Sequence, residues 1–268
     1  MKNRDEVTDL IFIHGFDIPL DRVDLRRRAA ESVDTVAAQF GVGVVHIETN
    51  LKPFLNTFVN WGLTGHGVAI ATIGHLLAPV FERLYIASSV HFSDLFPWGT
   101  HPLLDPLWNS EVLEFVHHGC GARRIEKVEL IAGFDAALNN LRVCHWGLHS
   151  FEPGGAYNCG RCEKCIRTMV SLEAAGKLSQ CTSFDRPLDH ASVERLYAAK
   201  EILPFFQENL EALRRRGVRP DLQRALEKCL RRARRHSRRA LRRNLFDRPF
   251  RLLRKSGVAS WSGRDETS

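Results

Sequence analysis

The sequence predicts an α/β protein built on a parallel sheet. Three observations carry this. Short apolar runs such as Asp9–Phe16 (DLIFIHGF) end in glycine or polar turns, as strands buried on both faces do. Between them lie stretches with helical spacing of apolar residues, and the two patterns alternate along the first 130 residues or so. No internal repeat and no low-complexity linker interrupts the alternation.

The elements follow in order. Asp9–Phe16 is the first strand, closed by a turn at Gly15. Residues 22–40 carry Val23, Ala29, Ala30, Val33, Val36, Ala37 and Phe40 at helical spacing, and Gly41 ends the helix. Val42–Ile47 is the second strand, 66–82 a buried helix with Val68, Ile70, Ala71, Ile73, Leu76 and Leu77, and Leu84–Ser88 the third strand. Trp108–His118 reads as a helix; Ile125–Leu130 and Leu141–Cys144 read as strands on either side of a short helix. A further helix follows the cysteines, with Ile166, Met169, Val170, Leu172 and Ala175 on its apolar side and Gly176 at its end.

Three of the seven cysteines stand at C-x₂-C-x₂-C spacing, Cys159, Cys162 and Cys165, with Cys144 upstream. Thiolates are soft ligands, and four of them satisfy a tetrahedral Zn²⁺. Gly160 allows a tight turn between the first two sulfurs, and Cys162 and Cys165 share a face if a helix opens there. Cys144 ends the apolar stretch 141–143 and is therefore the best-anchored fourth ligand; His145, His149 and Cys181 are alternatives. A [4Fe–4S] cluster is the rival metal group, but such runs continue C-x₃-C-P, and here the next cysteine is Cys181. Ordinary reduced thiols in a loop are the plain alternative. Cys120 and Cys229 read as packing residues.

Composition narrows the class. The 268 residues are 44% hydrophobic, enough for a sizeable core. No apolar run reaches the roughly 18 to 20 residues of a membrane span. The first residues do not have the layout of a secretory signal, and an odd cysteine count with metal-like spacing fits a reducing cytoplasm. The net charge of +7 is uneven: residues 214–255 hold eighteen Lys/Arg against Asp221, Glu227 and Asp247, so that segment is +15 and the remainder −8. From Pro220 and Asp221 onward, Leu222, Leu226, Cys229/Leu230, Ala233, Ala240/Leu241 and Leu245 keep helical spacing, while Arg231, Arg232, Arg234, Arg235, Arg238, Arg239, Arg242 and Arg243 fill the other faces. Such a helix can neutralise nucleic-acid phosphates, lie on an anionic membrane, dock on the acidic body, or simply be a solvated face. The organisation expected is an α/β domain over 1–180 with the four-cysteine site, a basic helical region over 181–255, and a disordered tail over 256–268.

In parallel α/β sheets, ligands bind beyond the carboxyl ends of the strands. That draws attention to Gly15, Phe16 and Asp17, to Glu48-Thr49-Asn50, and to the polar stretch containing Ser89, His91, Ser93, His101 and Asp105. Asp105 before Pro106 also suits a helix cap. Gly65-His66-Gly67, before the buried helix, could cradle an anion or form a tight turn.

The run ending IHGFDIPL, the stretch HFSDLFPWGTHPLLDPLWNSE and the cysteine pattern NCGRCEKCIRTM resemble the N-type ATP pyrophosphatase (PP-loop) superfamily, in particular 7-cyano-7-deazaguanine synthase-like proteins, over roughly residues 9–176. The resemblance implies a Rossmann-like sheet, a structural zinc on Cys144, Cys159, Cys162 and Cys165, and ATP-dependent adenylation of a carboxylic acid followed by amide and nitrile formation. It places Gly15, Phe16 and Asp17 beside the adenine or ribose, and Ser89, His91, Ser93, His101 and Asp105 toward the acyl substrate. Two features depart from that pattern. Arg167 stands one residue earlier than the synthases' arginine. The SGGxDS loop that holds the pyrophosphate is absent, and the one glycine pair, Gly154-Gly155, lies in the cysteine loop. Asp9–Phe16 then matches the family's second strand. The expectations are a gap where the central first strand would stand, or re-paired neighbours, in a degenerate relative or a chain whose native start lies upstream. ATP and Mg²⁺ are expected only if that loop is supplied. Without it the alternatives are a nucleic-acid-binding protein or a partner subunit that completes another chain's sheet.

Overall fold

The computed structural model describes residues 6–144, 157–184, 186–196 and 199–235. It is a mixed α/β structure with two short parallel sheets. Strand β1 (Asp9–His14) leads through helix α1 (Val23–Phe40) to β2 (Gly43–Glu48), and the strands pair in parallel with Asp9 opposite Gly43 and His14 opposite Glu48. Leu25, Ala29 and Ala37 bury one side of α1, which ends where Gly41 adopts φ 68°. A short helix α2 (Leu51–Leu55) and a π-turn at Trp61–Gly65 precede α3 (His66–Leu77). The second sheet pairs β3 (Arg83–Ala87) with β4 (Glu114–His118), again in parallel.

The expected sheet is thus divided: no ladder joins β1–β2 to β3–β4 among the described residues. The two halves nevertheless share a layer, because Ile11 of β1 packs against the core formed by Ala71 of α3 with Leu84, Ile86, Leu113 and Phe115.

Four expected elements differ. The helix read over 66–82 stops at Leu77, ahead of Pro79, which cannot continue it. Trp108–His118 is not a helix: a 3₁₀ turn at Asp105–Trp108 gives way to β4. The side chains of Asn109 and Ser110 accept from the Phe115 and Leu113 amides at 2.7 and 3.2 Å, a turn that breaks helical continuity before the buried Leu113 and Phe115. Ile125–Leu130 is not a strand but helix α4 (Arg124–Ile131), opened by the Glu126 carboxylate accepting the Arg123 amide at 2.6 Å. The short helix is α5 (Asp135–Asn140), and Leu141–Cys144 follows it as extended chain without a strand partner among the described residues.

The helix after the cysteines is α6 (Glu163–Ala174), the most deeply buried of the described helices. Beyond it lie α7 (His190–Arg195), α8 (Leu203–Arg216) and a helix α9 over 220–235. Phe206, Leu210, Leu213, Leu222, Leu226 and Leu230 join Ile125, Ile166 and Val170 in one continuous core, so α8 and α9 pack on α4 and α6. Residues Ala240/Leu241 and Leu245, the outer arginines and the 256–268 tail lie outside the described residues.

Candidate metal centre

The chain turns tightly through Gly160 (φ 62°) and enters α6 with Cys162 at its N-cap. That turn aims two amides back at one sulfur: Arg161 N and Cys162 N lie 3.5 and 3.3 Å from Cys159 Sγ. Cys165, one turn into the helix, is fully buried.

The fourth sulfur arrives by a different route. Asn158 has no exposed surface, and its amide substitutes for the missing strand partner of 141–144. Its Oδ1 accepts from Val143 N (2.9 Å) and Cys144 N (3.1 Å), and its Nδ2 donates to Leu141 O (2.8 Å) and Ser183 O (2.9 Å). Every hydrogen-bonding position of the carboxamide is used, so the segment is fixed to the knuckle.

The result is a cluster in which the sulfurs of Cys144, Cys159, Cys162 and Cys165 all lie within 4.8 Å of one another. Cys144 Sγ is 4.0 Å from Cys162 Sγ, and Cys159 Sγ is 3.8 Å from Cys165 Sγ. Four sulfurs at about 2.3 Å from one ion, at tetrahedral angles, stand about 3.8 Å apart. The spacing therefore fits a single ion, whereas a cubane cluster spreads its four cysteines over four separate irons. These four residues could hold a metal ion. The thiols perturb one another strongly. The bond from Cys165, with others from Cys159 and Cys144, holds Cys162 down at about 4, while the same bond and burial push Cys165 up.

Cys181 is separate: its Sγ donates to Leu138 O at 3.1 Å. Among the alternatives for the fourth ligand, His145 and His149 lie outside the described residues. Cys120 and Cys229 are buried in cores, as packing residues are.

Beside the cysteines lies Arg167, 6% exposed, with its guanidinium 4.3 Å over the Phe205 ring and 3.1 Å from Glu163. Burial pushes it down to about 10, so it stays charged at neutral pH, and its Nη1 has no hydrogen-bond partner among the described residues.

The remaining residues singled out from the sequence sit at the carboxyl ends of the strands. Gly15 (φ 95°) turns the chain after β1, and a Cβ there would lie 2.0 Å from Thr49 O. The Phe16 carbonyl accepts from Lys52 Nζ at 2.7 Å, and Asp17 is exposed. After β3, Ser89 and Ser93 are exposed; His91 Nδ1 accepts the Ser93 amide at 3.1 Å, and Ser93 Oγ donates to Asp94 at 3.0 Å. His101 and Asp105 belong to a different loop. Asp105 is fully buried and accepts from the His101 amide at 3.0 Å and His117 Nδ1 at 2.6 Å, which fastens that loop to β4. The loop is also seated on α3, where Gly67 comes so close that a Cβ would lie 1.7 Å from Gly99 O. Close packing therefore accounts for Gly67.

Three functional-looking residues escaped the sequence reading. His117 and Lys127 fell on segments assigned to the wrong element. Lys127 Nζ donates to Ser88 O (3.1 Å) and Ser88 Oγ (2.6 Å), and burial pushes its ammonium downward. Asn158 was visible as the neighbour of Cys159, but its role depends on chain 15 residues upstream.

The basic helix spends part of its charge internally. Arg214 and Arg231 pair with Glu227 at 2.6 and 3.6 Å, Lys228 pairs with Glu194 at 3.2 Å, and Arg232 donates to the Glu194 carbonyl at 2.6 Å. Arg224, Arg234 and Arg235 remain exposed. No helix of the described residues is long and apolar enough to cross a membrane.

No family model, curated protein or solved structure matches the chain.

Proposed function

We propose that the chain is a zinc-stabilised α/β scaffold of the PP-loop ATP pyrophosphatase type, of the 7-cyano-7-deazaguanine synthase kind. In this reading it presents the acyl-substrate side of an amide- or nitrile-forming reaction. The observation that carries it is the cluster of four sulfurs, built from an extended segment and a C-x₂-C-x₂-C knuckle that opens a buried helix. Four thiolates leave no open position on zinc, so its role is structural. Cys144, Cys159, Cys162 and Cys165 would hold it, with the Arg161 and Cys162 amides offsetting charge on Cys159.

Gly15, Phe16 and Asp17, with Ser89, His91, Ser93 and His101, supply polar groups at the carboxyl ends of parallel strands, where small ligands bind in such sheets. Lys127 adds a cation there, facing Ser88. Residues 1–268 contain no SGGxDS segment. ATP and Mg²⁺ therefore enter this proposal only with a phosphate loop supplied from elsewhere, and this chain by itself does not adenylate. A purified 268-residue chain is expected to contain one zinc and to release no pyrophosphate from ATP with or without a carboxylic acid. Metal-free folded protein would remove the zinc scaffold, and acid-dependent pyrophosphate release by this chain alone would overturn the assignment of its catalytic incompleteness.

A further inference from the structure

A layer without surface charge covers one face of the protein. Residues 53–81 contain no Asp, Glu, Lys or Arg, and residues 95–110 contain only Asp105, in a chain that is 26% charged. The first segment runs from α2 through the π-turn and α3, and the second is the loop that leads toward β4. Asp105 is fully buried, so it adds no charge to the surface. His66, His75 and His101 are the other titratable side chains of the two segments.

The two segments are packed together. Gly99 N donates to Gly62 O at 3.0 Å, and a Cβ on Gly62 would lie 2.9 Å from the Trp98 ring. The His66 and Trp98 rings are 5.3 Å apart, and at the far end of α3 Ala78 and Trp108 pack on the same core. The side of α3 that faces the sheet is closed: a Cβ on Gly74 would meet the Phe115 ring at 2.6 Å. Yet across the layer Phe54, Phe58, Leu63, Leu76, Leu103 and Leu107 are each more than half exposed. At about 100 Å² for each such ring or leucine they present roughly 600 Å² of apolar surface, the upper end of what a monomer leaves to water. Helix α1 lies on the other face of β1, where Phe12 packs with Leu25 and Ala29.

We propose that this layer is the interface of a homodimer, in which two copies of the chain meet face to face about a twofold axis. The charge distribution selects the occupant. A partner that brought charges to this layer would strip their hydration with nothing to pair them, whereas a twofold contact sets the layer against its own charge-free copy. Other helices of the chain are no match, for their outer sides carry exposed ion pairs such as Arg27–Glu31 and Arg214–Glu227. With Val59, Val80 and Leu104, also exposed on these segments, the area approaches the roughly 800 Å² that each partner gives to a stable interface. A lipid surface fits less well. From residue 50 to residue 120 the cations are Lys52 and Arg83, against Glu82, Asp94, Asp105, Glu111 and Glu114. Arg83 is already paired with Glu114 at 2.5 Å, so anionic headgroups would be repelled. The inference depends neither on the zinc site nor on the proposed function.

The test is sedimentation equilibrium of the full 268-residue chain at about pH 8, where histidine is neutral, in low salt and in about 1 M NaCl. A monomer–dimer equilibrium is expected, at least as strong in high salt as in low, because no charges meet across the contact. Phe58→Glu and Leu103→Glu, in different segments, should each weaken the dimer at least about tenfold by burying an unpaired carboxylate. Val23→Glu, on the exposed side of α1, should leave it unchanged. Hydrogen exchange of the native chain needs no variant: amides in 53–65 and 96–108 should slow as protein concentration rises through the equilibrium. Four results would overturn the proposal. A monomer at every concentration up to about 0.1 mM would mean that no second copy covers the layer. A dimer dissociated by salt, or weakened as much by Val23→Glu as by Phe58→Glu, would place the contact elsewhere. Dimerisation without slower exchange in 53–65 and 96–108 would do the same. A monomer that binds neutral phosphatidylcholine vesicles, and loses that binding in Phe58→Glu, would mean a lipid surface.

Discussion

Replacing Asn158 by alanine removes the part that joins the two halves of the metal centre. The carboxamide makes four hydrogen bonds, to Val143 N, Cys144 N, Leu141 O and Ser183 O, and the residue is fully buried. Each is worth about 0.5–1.5 kcal/mol net, and water cannot take over their partners in so enclosed a site, so the loss should be about 4 kcal/mol. The chain that carries Cys144 is then released from the knuckle, while the C-x₂-C-x₂-C run itself is untouched. The assay is urea unfolding of the metal-loaded protein, combined with the rate of metal transfer to a chromophoric chelator. Asn158→Ala should unfold at markedly lower urea and release its metal faster. Asn158→Asp keeps the acceptor but turns a buried carboxylate oxygen toward the Leu141 and Ser183 carbonyls, so it should be at least as destabilised as alanine. A loss below about 1 kcal/mol for alanine, with native metal release, would refute the argument that this amide holds the fourth ligand in place.

Other outcomes follow from the same geometry. Cys144→Ser should lose stoichiometric metal while Cys181→Ser retains it, because Cys181 bonds Leu138 O instead; metal analysis of the two purified variants decides this. Asp105→Ala should destabilise the fold by about 3 kcal/mol, because it leaves His117 and the His101 amide without their buried acceptor; a loss under about 1 kcal/mol in denaturant titration would contradict that role. Glu208 is held above the ordinary carboxylate range by burial, which the Ile125 and Arg124 amides and the Arg123 charge only partly offset and Asp94 reinforces. Its folded form binds the proton more tightly than the unfolded chain, so ionisation weakens the fold as pH rises through the folded value. Glu208→Gln should therefore melt higher than the native protein at pH 8, with the difference shrinking as pH falls toward the unfolded carboxylate value of about 4.3. A difference that grows on acidification would contradict this.

The sequence made the four-cysteine cluster legible in its knuckle, where the spacing is local. Cys159, Cys162 and Cys165 are placed by a turn and the first turn of α6, whereas Cys144 is held by Asn158 from 14 residues away. The first three strands and the α1 and α6 helices were legible because their apolar spacing extends over enough residues to distinguish a period of two from one of 3.6. Segments 108–118 and 125–130 were not. Each is short and apolar enough to fit either period, and each was settled by polar side chains, Asn109 and Ser110 in one and Glu126 in the other. The 141–144 strand failed for a further reason. Its partner is a single buried carboxamide, and no pattern within four residues announces that. The resemblance left open a gap in the sheet or re-paired neighbours, and the registers of the two strand pairs are visible only in the paired backbone.

The centre itself is tested most directly by X-ray absorption at the zinc edge on the purified chain, with metal and acid-labile sulfide measured on the same sample. The account predicts one zinc per chain, four sulfur neighbours at about 2.3 Å and no sulfide. Iron with sulfide, or a zinc shell containing nitrogen or oxygen, would contradict it.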